Sequence, residues 1–387
     1  MSTRPNTTKE NKDLPEILGI DIGSHKIRAT LTVGKRKKSD FEVFSNGVQN
    51  GYVINQKDFE NDILDLMSNI NYENKSVPRR IIVGVSTKSC DSTTSVASII
   101  TGRSDGLITD NDIDECIKKA KAKLDINKNL EIVHSIVIKK IVDDHIVQGE
   151  IVGLKGSKVE MRVLFILEDR KTLKIIYDTF ADNNIEIDSI VSGPFAESLI
   201  VLSKKDMRLG SASVNIGLNN TSIVVYENNY PLLCSIISGG GENVTSDLSL
   251  LLRMSYIEAE DIKQDINVSA AAKRRVEEII EARVNYLDQK INEKLKRIKR
   301  SELLPAGAIL SGGSSNLFKI EQNMRYDLKI PILSCEKNIA NTGCDAENIR
   351  SYSVAMLYDK NSEGSIYFEY IKNTYKFIIS RIKKFLP

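Results

Sequence analysis

Glu16-Ile-Leu-Gly-Ile-Asp-Ile-Gly-Ser-His-Lys-Ile-Arg-Ala-Thr-Leu-Thr-Val33 is the stretch on which the reading of the whole chain turns. An apolar run ends at Asp21-Ile-Gly23-Ser24, after which Ile27, Ala29, Leu31 and Val33 alternate with other residues. The pattern predicts two strands joined by a tight glycine turn. Such a turn leaves backbone N–H groups unpaired and, having no Cβ at glycine, lets an anion approach them closely. Taken alone, the turn is also what any ordinary hairpin needs.

Outward from this hairpin, Asp58 to Asn69 predicts a helix with Phe59, Ile63, Leu66 and Met67 on one face, and Ile81 to Val85 predicts a buried strand. Beyond it the texture changes. Thr109 opens a charged helix through Leu124, and Glu131 to Ile141 and Ser157 to Leu167 predict strands, a small α+β module inserted into the first lobe. Ser213 to Ile216, Ser222 to Tyr226 and Leu232 to Ser238 predict a second meander with its own turn, Asn215-Ile-Gly217. Gly239-Gly240-Gly241 then leads into a helix, the segments Ile257 to Asp265 and Lys273 to Lys299 predict two more, and Ala308 to Ser315 closes the second lobe as strand, glycine loop and helix. Two halves that each begin with a glycine-turned hairpin imply a duplicated α/β fold with a cleft between the lobes.

Composition narrows the function classes. The 387 residues are 41% hydrophobic with a net charge of +2, so the chain can bury a large core and shows no basic footprint for nucleic acid. Met1 to Asp13 is polar and lacks the apolar core of a signal peptide, which predicts a loose leader and a cytoplasmic location. Cys90, Cys116, Cys234, Cys335 and Cys344 are scattered and odd in number, a poor disulfide framework. No stretch reaches the roughly 18 apolar residues of a spanning helix. His25, His134 and His145 have no metal-site spacing.

Three glycine elements follow in order: Asp21-Ile-Gly23-Ser24, Asn215-Ile-Gly217, and Leu310-Ser-Gly312-Gly313-Ser314, with Glu260-Asp-Ile-Lys263 between the last two. Their order resembles the phosphate-1, phosphate-2 and adenosine motifs of the actin and sugar-kinase superfamily. Within it, Gly47-Val-Gln-Asn-Gly-Tyr-Val-Ile54, Ile108-Thr-Asp-Asn-Asp112, Val152-Gly-Leu-Lys-Gly-Ser-Lys-Val159, Gly239-Gly-Gly-Glu-Asn-Val-Thr245 and Leu304-Pro-Ala-Gly-Ala-Ile-Leu-Ser-Gly-Gly313 are similar to the FtsA family, over roughly Ile17 to Tyr358.

The resemblance implies an α/β, two-lobed actin-like ATPase fold with an inserted small α+β (1C-type) subdomain and a C-terminal amphipathic helix. Its expected layout is a leader over 1–15, lobe 1 over 16–83 and 167–208, and the 1C-type insertion over 84–166. Lobe 2 is expected over 209–251 and 301–358, a helical 2B subdomain over 252–300, a linker over 359–368 and a membrane-binding helix over 369–387. It implies ATP and Mg2+ as cofactors. The first hairpin would contribute Asp21, Gly23, Ser24, His25 and Lys26; the second loop Asn215, Gly217, Asn219, Asn220 and Thr221. Gly239, Gly240, Gly241 and Asn243 would follow, with Glu260 and Lys263 toward the base and Gly312, Gly313, Ser314 and Ser315 closing the site.

The phosphate-2 loop departs from the family: Asn215-Ile-Gly-Leu-Asn-Asn-Thr221 stands where relatives carry Asp and a run of glycines. An amide lacks the negative charge a hard cation prefers, so ATP hydrolysis is expected to be weak or absent. Asp21 is left to hold Mg2+ through water, or else to satisfy its own turn. Glu197 either positions an attacking water as the catalytic residue or meets the dipole of its helix.

At the C-terminus, Ile371, Tyr375, Ile378, Ile379, Ile382, Phe385 and Leu386 fall within an arc of roughly 120° on a helix. Lys372, Lys376 and Lys383 lie outside it, and no acid occurs after Glu369. This helix either docks into the core or lies on anionic phospholipid; the polar linker before it and the resemblance favour the membrane. The implied protein self-assembles into actin-like filaments and tethers FtsZ, through the FtsZ C-terminal peptide, to the inner face of the cell membrane at the division site, beside other divisome proteins. Alternatives are a PilM-like nucleotide-binding protein of a pilus or secretion assembly, and an actin-fold ATPase or phosphotransferase.

Overall fold

The computed structural model describes residues 16–357 apart from 75–77, 79, 103 and 265–268. The expected leader over 1–15 and the expected linker and lipid-facing helix over 359–387 lie outside the described residues.

Two five-stranded sheets carry the chain, and their connectivity is the same. In the first, Arg36–Phe44, Lys26–Val33 and Glu16–Ile22 form an antiparallel meander continued in parallel by Arg80–Val85 and Ser189–Ser192. In the second, Tyr230–Ser238, Asn220–Glu227 and Ser211–Ile216 form the meander, and Ala308–Ser311 and Ile332–Ser334 run parallel to it. The central strands are buried on both faces; Glu16–Ile22 and Arg80–Val85 read as largely apolar runs, as parallel neighbours require, whereas Ser211–Ile216 interleaves two serines and an asparagine. The duplication therefore lies in strand order, which a search for repeated residues does not reveal.

Inserted into the first half, between its strands Arg80–Val85 and Ser189–Ser192, is a four-stranded sheet in the order Asp91–Ile100, Lys158–Asp169, Leu130–Val142 and His145–Val147, covered by the helix Asp110–Ala122. Thr109 caps that helix: its hydroxyl accepts from the Asp112 N–H while the Asp112 carboxylate accepts from the Thr109 N–H at 2.8 Å. Val159, Met161, Val163 and Phe165 fill a core of its own, while Leu164 and Ile166 on the other face join the first-lobe core. The strand Asp91–Ile100 escapes the sequence pattern because its serines and threonines dilute the alternation; of its ten residues only Ala97 and Ile99 are buried. Arg36–Phe44, equally unforeseen, is an edge strand heavy in Lys, Asp and Glu.

Helix lengths follow apolar spacing, with ends that fall a few residues to either side of those predicted. Gln56–Asn74 buries Phe59, Ile63, Leu66 and Met67, each worth about 1.5–3 kcal/mol on burial. Ala270–Arg297 buries Val276, Ile280, Val284, Leu287, Ile291 and Leu295 at three- and four-residue intervals. One placement corrects the expected layout. The helix Ile349–Met356, assigned to the second lobe through the range 301–358, packs on the first: an ideal Cβ at Gly19 would lie 2.2 Å from the Ser351 carbonyl oxygen and 2.4 Å from the Ala355 nitrogen. Glycine at 19 is what lets this helix cross the central strand.

Gly19→Ala is accordingly expected to lower stability by about 3 kcal/mol or more through overpacking against backbone, read as an earlier denaturation midpoint; an unchanged midpoint would show that the helix does not sit on this strand. A second expectation concerns pH. Burial and then the Asp327 charge push Asp288 up to about 8, and burial pushes Glu168 up to about 8 despite donation from the Thr87 hydroxyl at 2.5 Å. Both carboxyls bind their proton more tightly folded than unfolded, so their stabilisation is full below their ordinary values of 3.8 and 4.5 and is lost as pH rises through about 8. Stability should fall between pH 5 and 9, measured by denaturant titration, and D288N and E168Q should each flatten the fall.

Candidate functional site

The two hairpin turns face one another across the lobes. Ile22 pairs with Ile27 and Ile216 with Thr221, so residues 23–26 and 217–220 form the tips, and Ala308–Ser311 delivers Gly312 and Gly313 beside them. Together they enclose a cavity of about 100 Å³. Of the expected ligand-binding residues, Asp21, Gly23, Ser24, His25, Lys26, Asn215, Gly217, Asn219, Asn220, Gly312 and Gly313 line it, joined by Leu218. Gly312 adopts φ +89°, and a Cβ there would stand 2.6 Å from the Ile216 carbonyl oxygen, so the position requires glycine. Burial, then the charges of Lys26 and Arg28, lower the pKa of His25, which favours its neutral form.

Other expected residues are placed around the cavity. Thr221 is buried and donates to the Gly239 carbonyl at 2.8 Å; Asn243 accepts from the Gly240 N–H at 3.1 Å as a helix cap. The Gly241 and Glu242 N–H groups donate to the carbonyls of Gly217 and Leu218, at 3.0 and 2.9 Å, which ties this helix start to the second turn. Lys263 bonds Glu260 at 2.7 Å and the Thr245 hydroxyl at 3.0 Å, close behind Gly241 and Ser314. Ser315 donates to the Gly312 carbonyl at 2.8 Å and holds the glycine loop in shape.

Beneath the turns lies a buried polar network that sequence reasoning missed. Arg350 donates from Nε to Glu197 Oε2 at 2.6 Å, from Nη1 to Ser86 Oγ at 3.2 Å and from Nη2 to Ser222 Oγ at 3.0 Å. The other Glu197 oxygen accepts from Asn215 Nδ2 at 2.9 Å and from the Ser311 hydroxyl. The Glu197 side chain is 1% exposed and both of its oxygens are engaged. It therefore anchors a guanidinium and does not line the cavity, which corrects its expected place beside an attacking water. The clue to Arg350 was local: it is the one charged residue in a helix whose others are apolar or hydroxyl-bearing.

A Mg2+ ion fits this donor set poorly. Hard dications take oxygen ligands and prefer carboxylates, yet Asn215 offers an amide, Glu197 is held by Arg350, and Glu347 is paired with Arg28 at 2.6 Å. Among the described residues no group of three or more His, Cys, Asp and Glu side chains is gathered to hold a metal. Of the side chains lining the cavity, Asp21 and Asn220 each keep a buried oxygen, Oδ1, without a partner, and only Asp21 can supply negative charge. Burial raises its pKa, opposed first by the Arg350 charge and then by Arg28. The expected water-mediated Mg2+ at Asp21 would thus meet one carboxyl beside two guanidinium groups.

A family model for the cell division protein FtsA matches residues 212–356. Cell division protein FtsA of Buchnera aphidicola subsp. Baizongia pistaciae is 28% identical over 303 residues, covering 70% of this chain and 72% of that protein. FtsA of Pseudomonas aeruginosa is 24% identical over 332 residues, 78% of each, and FtsA of Helicobacter pylori 23% over 283 residues, 66% of this chain and 56% of that protein. The chain thus spans little more than half the length of the Helicobacter relative. Among solved structures, a chain of the PilM–PilN type IV pilus biogenesis complex superposes with a TM-score of 0.65 at 13% identity, over 88% of this chain and 98% of that one. MreB 5 of Spiroplasma citri bound to AMPPNP superposes with a TM-score of 0.52 at 9% identity, over 96% and 99%. These likenesses show the actin-like ATPase fold.

Breaking the buried pair should be costly. Glu197→Gln leaves Arg350 without its counter-ion and is expected to lose about 3–5 kcal/mol, while Glu197→Gln combined with Arg350→Met should recover part of that loss. Additive losses in a double-mutant cycle by chemical denaturation would show that the two side chains are not coupled.

Proposed function

We propose that the chain is a member of the FtsA family, that it binds ATP between its lobes and that it acts in cell division by holding FtsZ at the inner face of the cytoplasmic membrane. The observation that carries the reading is the pair of facing glycine-turned hairpins joined by the Gly312-Gly313 loop, in a chain related to FtsA over both lobes. The phosphates would lie against the turns at Gly23–Lys26 and Gly217–Asn220. The base would lie toward Gly241, Lys263 and Ser314, which stand together at the edge of the second lobe. That MreB 5 of Spiroplasma citri was solved with AMPPNP on the same fold supports this placement. The cavity lies where the two turns and the Gly312-Gly313 loop converge, which suits the phosphate end of the ligand. With Glu197 engaged by Arg350, Asn215 and Ser311, hydrolysis is expected to be weak or absent.

Self-association into actin-like filaments and recruitment of other divisome proteins follow from the same family reading. For the FtsZ peptide, the basic run Lys294 to Arg300 is a poor candidate: Arg297 grips Asp91 with two bonds of 2.6 Å, Lys294 lies 3.7 Å from the same carboxylate, and Arg300 bonds Glu227. The exposed apolar side chains of Leu250, Leu251 and Ile257 offer a better surface nearby. Membrane attachment would fall to the segment 369–387, since no helix among the described residues is long and apolar enough to cross a bilayer.

Co-sedimentation with anionic vesicles tests the adaptor reading, comparing the full chain with one ending at Gly364, each with and without ATP. Pelleting of the full chain alone is expected, enhanced by ATP if assembly follows binding. If neither chain pellets, or both pellet alike, the tail does not hold lipid and a soluble PilM-like role takes precedence.

A further inference from the structure

The nucleotide site proposed above raises the question of what neutralises its phosphates, and three observations bear on it. The first is the amide at 215. Its Nδ2 donates to Glu197 at 2.9 Å, so a carboxylate at this position would stand against another carboxylate at hydrogen-bond distance and would need a proton or a cation between them. Asparagine removes that need. The second is the position of Arg350, which lines the cavity while its Nε is fixed by Glu197. A guanidinium carries five N–H groups, and three have partners in Glu197, Ser86 and Ser222, leaving two for a ligand. The third is Asp21, whose unpartnered, buried Oδ1 lies within the fields of Arg350 and Arg28.

We infer that the cleft takes a nucleoside triphosphate without a divalent cation, the Arg350 guanidinium supplying the positive charge that the phosphates need. The inference rests on the nucleotide reading and specifies the ionic form of its ligand. A guanidinium suits the role because it is charged at any working pH and meets two phosphate oxygens in one plane. It also arrives already desolvated and oriented, so its alignment is not lost when the site is empty. A Mg2+ ion brought in with the nucleotide would approach Arg350 at close range in a partly water-excluded site, where like charges repel more strongly than in bulk water.

The test is equilibrium binding of a fluorescent ATP analogue to the full chain, in excess Mg2+ and in EDTA. The expected result is affinity in EDTA within about threefold of that in Mg2+. Binding that requires Mg2+, or gains about tenfold or more from it, overturns the inference and leaves the nucleotide reading intact. Binding in neither buffer overturns the nucleotide reading itself.

Two variants sharpen the outcome without leaving an ion unpaired. Glu197→Gln with Arg350→Met should weaken binding by about tenfold or more in EDTA and less in Mg2+; equal losses in both buffers would assign Arg350 a purely structural role. Asp21→Asn removes the carboxyl that faces the phosphates and should tighten binding in EDTA, whereas a metal ligand at Asp21 would show itself as a loss confined to Mg2+.

Discussion

A carboxylate and a guanidinium removed from water between two lobes are the constraint on which the rest of this molecule depends. Desolvating either ion alone costs several kcal/mol, so each must find the other, and the remaining lone pairs and N–H groups must find partners too. Glu197 comes from the helix Gly193–Val201 and Arg350 from the helix Ile349–Met356, 153 residues further on. Their meeting therefore fixes how the end of the chain returns to its beginning. Gly19 makes the return possible by letting backbone pass over backbone, and Ser86, Ser222, Asn215 and Ser311 satisfy what the ion pair leaves open.

The cleft follows from the duplicated topology. Each sheet places an antiparallel hairpin beside parallel strands, so the hairpin turns and the parallel strand ends point toward the same opening. Glycines at the tips keep the backbone accessible, and Gly312 adds a loop whose φ of +89° no β-branched or bulky residue would tolerate. The departures that the family resemblance marks out, Asn215, Leu218 and Asn219, all lie in the second hairpin. The first turn keeps its carboxyl, while its flanking cations are largely engaged, Lys26 with Glu42 and Arg28 with Glu42 and Glu347.

Much of this was legible in the sequence because it is encoded locally. Strand alternation, the glycine turns, the Thr109 cap and the spacing of Val276, Ile280, Val284 and Leu287 each depend on residues a few positions apart. The buried network was not legible, since neither Arg350 nor Glu197 has its partner within its own segment. The same holds for the strand Asp91–Ile100, whose place depends on pairing with Lys158–Asp169 and not on its own hydrophobicity. Nor did the basic run at 294–300 announce its partners, because Asp91 and Glu227 come from strands far away in sequence.

The same network bears on any movement between the lobes. Glu197, Arg350 and Ser86 all belong to the first lobe or to the helix packed on it, whereas Asn215, Ser222 and Ser311 belong to the second. Parting the lobes therefore leaves the ion pair whole. Among the contacts it breaks are the bonds that Asn215 and Ser311 donate to Glu197 and that Arg350 donates to Ser222, each a hydrogen bond between a charged group and a neutral one. Such bonds contribute about 1.5–3 kcal/mol apiece, and water or a phosphate entering the gap can replace them. The buried ion pair is thus kept on one side, while Val224, Tyr226 and Ile236 of the second sheet pack into the first-lobe core and the Arg297–Asp91 pair also links the second lobe to the first.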